Sequence, residues 1–165
     1  METAFVGLGS NLGAREKNIA TAVELLRQSE NLQVFESSSL YETEPVGPRF
    51  QPWFLNVVVK LGSLLEPTSL LNQCKVIERR VGRYRTLRWG PRVIDLDVLL
   101  VDGYVVQNEL VTLPHPQLQE RRFVLEPLAE LAPQWVHPGN CRSIKDLLGA
   151  VDDEKKVIKL ARRAF

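Results

Sequence analysis

An α+β fold with a β-α-β-β-α-β core follows from three features of this 165-residue chain. Residues 3–8, 54–61 and 93–101 are runs of aliphatic and β-branched side chains, the signature of strands with a buried face. Residues 14–26 and 67–81 instead repeat apolar side chains at helical spacing. These strands and helices alternate in the order that places two helices against one face of an antiparallel sheet.

The opening segment 3–8 (TAFVGL) reads as a short buried strand, and Gly7 to Gly13 as the turn that follows it. In the first helix Ile19, Ala22, Val23 and Leu26 fall on one face. Residues 32–41 are strand-like, with Leu32, Val34 and Leu40 as the inward set. Pro45, Gly47, Pro48 and Pro52 then break any regular structure. Segment 54–61 (FLNVVVKL) reads as a central strand. Pro67 suits the first turn of a helix, which runs through Leu70, Leu71, Cys74, Ile77 and Val81 and is closed by Gly82. Residues 83–92 carry arginines and no periodicity, and 93–101 (VIDLDVLLV) is the next strand. Asp102-Gly103 signals a hairpin turn into a short strand at 104–106. Residues 123–131 read as a short helix with Pro127 near its start, and the charged tail from Asp152 as a further helix with a thin apolar stripe. The result is a ferredoxin-like βαββαβ core with extra strands and short helices after residue 102, one domain spanning 1–165.

Composition narrows the function classes. With 21 Lys and Arg against 20 Asp and Glu, and 44% hydrophobic residues, the chain is an ordinary globular sequence, not a disordered one. A net charge of +1 argues against a general binder of nucleic acid or membrane surface. No apolar run reaches the roughly 18 residues of a membrane helix, and the N-terminus lacks a signal-peptide pattern. Cys74 and Cys141 form neither a disulfide framework nor a metal cluster, so the expected compartment is a reducing cytoplasm. The charge is nevertheless uneven. Arginine supplies 14 of the 21 cationic residues, and Arg79, Arg80, Arg83, Arg85, Arg88 and Arg92 follow one another with no acid between them. Such density calls for an anion, and arginine's planar fork suits phosphate.

The sharpest chemical signal is Asp95-Leu96-Asp97. On a strand the two aspartates share a face while Leu96 takes the other. Like charges held so close favour a cation between them, and Mg²⁺ is commonly held by a few carboxylates together with substrate phosphate oxygens. The arginine segment ends three residues before Asp95, so the two together describe a magnesium-polyphosphate site. Asn56 is a lone amide on an apolar strand, sharing its face with Phe54 and Val58; it needs a partner, backbone or a flat heterocycle. His115 sits at a rigid corner between Pro114 and Pro116. The glycines at 7, 9 and 13 do not match the dinucleotide fingerprint, because the third comes one residue late and the acidic partner is missing. No P-loop motif is present, so ATP, if used, is held by other means.

The stretch from Arg88 to Leu99 (RWGPRVIDLDVL) resembles the signature of the hydroxymethyl-dihydropterin pyrophosphokinase family. The resemblance extends over nearly the whole chain: GSNLG at 9–13, SLYETEP at 39–45, FLN at 54–56, GRYR at 82–85, PHPQLQERRFVLEPL at 114–128 and ELAP at 130–133. It implies transfer of pyrophosphate from ATP to a pterin hydroxymethyl oxygen, with release of AMP. It also implies two Mg²⁺ ions on Asp95 and Asp97, with Asp95 near the attacking hydroxyl and Arg83 and Arg92 clamping the phosphates. By the same resemblance, Arg85, Arg88, Trp89, Thr112, His115 and Arg121 line the nucleotide or gate its site. The pterin lies between Phe54 and Phe123, with Asn56 and the segment from Thr43 to Val46 meeting its polar edge. Small-molecule substrates, a monomer, and no nucleic-acid or membrane partner are expected. An RNA-binding sheet is the competing reading, with Tyr84 and Trp89 as stacking platforms, but the RNP1 pattern is missing from the third strand. A non-catalytic sensor of magnesium nucleotide is the other alternative.

Overall fold

The computed structural model describes residues 1–47, 50–84 and 90–163, with side chains described through Leu160. Strand β1 (Glu2–Ser10) leads into helix α1 (Arg15–Arg27), then β2 (Leu32–Ser37), β3 (Ser39–Thr43) and β4 (Phe54–Ser63). Helix α2 (Pro67–Val81) and strand β5 (Asp95–Val101) complete the core. After it come the two-residue strands β6 (Val106–Gln107) and β7 (Thr112–Leu113), helices α3 (Arg122–Leu131) and α4 (Ile144–Ala150), and strand β8 (Val157–Arg163). The main sheet runs β5-β1-β4-β3-β8, with β2 also paired to β4, and every pairing is antiparallel. This is the ferredoxin-like arrangement expected, widened by β8.

Alternation along the strands sorts the core into two layers. Ala4, Val6, Leu8, Val57, Val59, Leu61, Leu96 and Val98 pack with Ile19, Ala22, Val23 and Leu26 of α1 and with Leu70, Cys74 and Ile77 of α2. The opposite face carries Phe5, Val58 and Leu99, covered by Leu125 and Leu128 of α3 and Ile144 and Leu147 of α4. Phe5 meets Trp135 edge to face, with ring centroids 5.1 Å apart. Helix α2 begins at Pro67 and is capped after Val81 by Gly82, whose φ of 111° favours a residue without a β-carbon.

Several expectations change. Residues 32–41 do not form one strand: Ser38 interrupts them, its hydroxyl accepting from the Val58 amide at 3.0 Å while its own amide donates to the Val58 carbonyl. The chain thus bends, and β2 and β3 pair with successive parts of β4. Gly7 and Gly9 belong to β1, not to a turn, because their backbones pair on both sides with β4 and β5. The last core strand starts at Asp95 and not at Val93, since Asn11 takes the backbone of Arg92 and the Asn18 side chain takes the Val93 carbonyl. Beyond the Asp102-Gly103 turn the short strand lies at 106–107, and it pairs with β7, not with β5. Arg79 and Arg80 form the last turn of α2. Helix α4 was not anticipated; Ser143 caps it, accepting from the Asp146 amide at 3.1 Å. The tail forms strand β8 instead of a helix. The open edge of β3 offers backbone donors and acceptors that a strand satisfies and a helix cannot.

Candidate active site

The site begins with two glycines. In the β1 ladders Gly9 lies between Asp95 and Asn56, and Gly7 between Asp97 and Val58. Both aspartates therefore have a cross-strand neighbour without a side chain, and the sheet surface between them stays open. A β-carbon on Gly9 would stand 2.6 Å from Asn56 Oδ1. The opening deepens into a cavity of about 260 Å³ on the sheet face opposite α1 and α2, walled by α3 and by the segment around His115.

Asp95 is held by two arginines. Its Oδ1 accepts from Arg83 Nη1 and its Oδ2 from Arg92 Nη1. Burial pushes this carboxyl up, but Arg92 and Arg83 outweigh it and leave it below the ordinary aspartate range. Asp97 differs: no ion pair or hydrogen bond ties its carboxylate to a described side chain, and burial together with the charge of Asp95 pushes it upward. A like-charged carboxylate pair, one member bound by two arginines and the other not, has the oxygen donors that suit a hard divalent cation.

Behind the pair stands Glu78, on the buried stripe of α2. Its Oε1 accepts from Lys75 Nζ at 2.8 Å and the Leu96 amide at 2.7 Å, and lies 2.6 Å from Arg83 Nη1. It thereby fixes the peptide between the two aspartates. Burial raises its carboxyl despite those cations. Arg92 is fixed through its backbone: its amide donates to Asn11 Oδ1 at 2.7 Å, and its carbonyl accepts from the Asn11 amide at 3.1 Å. His115 donates its amide to the Leu99 carbonyl at 2.8 Å, and its Nδ1 accepts from the Gln117 amide at 3.2 Å. Burial keeps its imidazole below the usual histidine range although Asp97 pulls it upward. Arg121 hydrogen-bonds Gln117 Oε1 and sits over the Phe123 ring, 5.6 Å from its centroid.

Of the residues singled out in the sequence, Thr43, Val46, Phe54, Asn56, Arg92, Asp95, Asp97, His115, Arg121 and Phe123 line this one cavity. Arg83 joins through Asp95. The lone amide of Asn56 finds a protein partner, donating to Thr43 Oγ1 at 2.6 Å. Thr112 is brought elsewhere: in β7 it pairs with Gln107 of β6, and it is not among the cavity residues. Arg85, Arg88 and Trp89 lie outside the described residues. Glu78, Lys75 and Asn11 were not foreseen. Glu78 left a trace, an acid four residues after Cys74 on an otherwise apolar helix face. Asn11 left none beyond its place in GSNLG.

A family profile described as 7,8-dihydro-6-hydroxymethylpterin-pyrophosphokinase matches residues 5–133. A Methylorubrum extorquens protein named 2-amino-4-hydroxy-6-hydroxymethyldihydropteridine pyrophosphokinase is 44% identical, over 92% of this chain and 95% of its own length. A Bacillus subtilis protein of the same name is 46% identical, over 79% of this chain and 78% of its own. The Schizosaccharomyces pombe folic acid synthesis protein fol1 is 43% identical over 88% of this chain, which spans only 20% of that longer protein. Among solved structures, Plasmodium falciparum HPPK-DHPS superposes with a TM-score of 0.73 at 15% identity, covering 90% of this chain and 45% of the other; this is a likeness of fold.

Proposed function

Because the chain belongs to the 7,8-dihydro-6-hydroxymethylpterin-pyrophosphokinase family, we propose a division of labour among the residues of its cavity. The reaction is transfer of pyrophosphate from ATP to the hydroxymethyl oxygen of 6-hydroxymethyl-7,8-dihydropterin, giving the pterin diphosphate and AMP in folate biosynthesis. The observation that carries the assignment of roles is the shared strand face of Asp95 and Asp97 over a glycine floor, with arginines on one side and the Asn56–Thr43 pair on the other.

Asp95 and Asp97 would hold two Mg²⁺ ions, which would supply neutralisation of the charge that develops on the transferring group. Asp95 is paired with Arg83 and Arg92. When the triphosphate enters, those guanidinium groups exchange one anion for another and clamp its oxygens, where they stabilise charge on the transferring group. His115 and Arg121 flank the nucleotide, joined by Arg85, Arg88 and Trp89. Phe54 and Phe123 sandwich the pterin, and Asn56, Thr43 and the backbone to Val46 bind its polar edge. Asp95 accepts the hydrogen bond of the substrate hydroxyl and aims that oxygen at the β-phosphorus. The hydroxymethyl oxygen bonds to the β-phosphorus as the P–O bond between the α- and β-phosphates breaks; AMP leaves with that electron pair, and the hydroxyl proton passes to solvent. A monomer is the proposed active unit, with residues 1–165 acting as a single domain. The unpaired Cys74 and Cys141 agree with a reducing cytoplasm. No described helix is long and apolar enough to cross a membrane.

A phosphorus NMR time course with ATP, Mg²⁺ and the hydroxymethyl-dihydropterin tests this directly. AMP and pterin diphosphate should appear together and stop on chelation of the metal, and Asp97→Asn should slow them at least about hundredfold. ADP as the product, or an undiminished rate in Asp97→Asn, would overturn the assignment.

A further inference from the structure

We propose that Arg15, which is not a cavity residue, is a positioning residue for the pterin-side wall; this rests on the pterin assignment above. Strands β3 and β4 pair over only three rungs, Tyr41 with Asn56, Glu42 with Leu55 and Thr43 with Phe54. The final rung carries two of the residues assigned to the pterin, and beyond it the chain departs into the long 44–53 connection. A ladder end of that kind opens easily unless it is tied. Arg15, the first residue of α1, ties it from outside the cavity. Its Nη1 donates to the Trp53 carbonyl at 2.8 Å and its Nη2 to Glu42 Oε1 at 2.8 Å. Trp53 immediately precedes Phe54, and Glu42 immediately precedes Thr43. One planar group thus holds both strands at the position just before each pterin-facing residue, and its rigid fork sets their separation.

The ion pair is one-third exposed on each side (33% and 33%), so its contribution to global stability is small. Its effect belongs in the geometry of the wall. Arg15→Ala, Arg15→Lys, Glu42→Gln and the Arg15→Ala/Glu42→Gln pair should therefore be compared for pterin affinity, nucleotide affinity, kcat and Tm, with Asn56→Ala as the control on the pterin assignment. Arg15→Ala should weaken pterin binding about tenfold, leaving nucleotide affinity and kcat at saturating pterin within about twofold. The double variant should lose no more than Arg15→Ala alone, because both changes break one clamp. Arg15→Lys, which keeps the positive charge beside Glu42, should lose an intermediate amount, as a point charge replaces the fork. Pterin affinity within about twofold of the parent in both Arg15 variants, while Asn56→Ala loses it, would overturn the clamp. So would pterin and nucleotide affinities falling together with Tm. If Asn56→Ala also binds pterin normally, the pterin assignment itself is wrong.

Discussion

Asp95 and Asp97 have the same side chain and lie two residues apart, yet their surroundings separate them. Arg92 and Arg83 hold Asp95 ionised below the usual range, while burial and Asp95 itself push Asp97 above it. One carboxylate is thus neutralised by two guanidinium groups while its neighbour on the same strand face is not. Gly9 is one of the floor glycines of the site and the more constrained of Gly7 and Gly9. Its missing β-carbon leaves room for the Asn56 side chain, which is in turn fixed by Thr43. Gly9→Ala should displace that amide and weaken pterin binding about tenfold, with nucleotide affinity unchanged, in parallel fluorescence titrations. Equal loss for both ligands would show that the substitution disturbs the sheet and not the amide.

At the level of elements, α2 and α3 act on the site from opposite faces. Helix α2 reaches through the sheet edge with Glu78, and α3 presents Phe123 while being tied to β3 by Glu130. The Glu130 carboxylate accepts from the Ser39 amide at 3.1 Å, the Ser39 hydroxyl at 2.9 Å and the Tyr41 hydroxyl at 2.7 Å. Burial opposes ionisation there, but the Tyr41 and Ser39 hydrogen bonds outweigh it and hold Glu130 below its ordinary 4.5. A depressed carboxyl binds fewer protons folded than unfolded, so its stabilisation is complete above 4.5 and is lost as pH falls through the folded value below it. Glu130→Gln should cost about 1 kcal/mol at neutral pH, since solvent screens this partly exposed carboxylate, and less as the medium becomes more acidic than that value. Denaturant unfolding of both proteins across that range checks it; a difference that grows in acid would contradict the linkage.

Across the whole molecule, the sheet is a partition with structural packing on one face and chemistry on the other. Its outer strand β8 closes the edge of β3, and Lys156 and Glu44 bond reciprocally, the Glu44 amide to the Lys156 carbonyl at 3.1 Å and the Lys156 amide to Glu44 Oε2 at 2.9 Å. Glu44 is a cavity residue. Removing residues 156–165 should therefore lower Tm by about 4–8 °C, for a loss near 2 kcal/mol, and weaken pterin more than nucleotide. Calorimetry with both titrations would detect it, and an unchanged pterin affinity would make the strand a purely structural edge. The sequence alone determined the β-α-β-β-α-β order of the core, the common face of Asp95 and Asp97, the place of Asn56 as a lone amide on an apolar strand, and the arginine supply, because each is set by periodicity or composition within a short segment. Tertiary structure alone decided that the tail is a strand, that Gly7 and Gly9 clear a floor, and that Glu78, Asn11 and Arg15 support the site. Those outcomes depend on which backbone edges and side chains meet across tens of residues, and a local pattern carries no record of its distant partner.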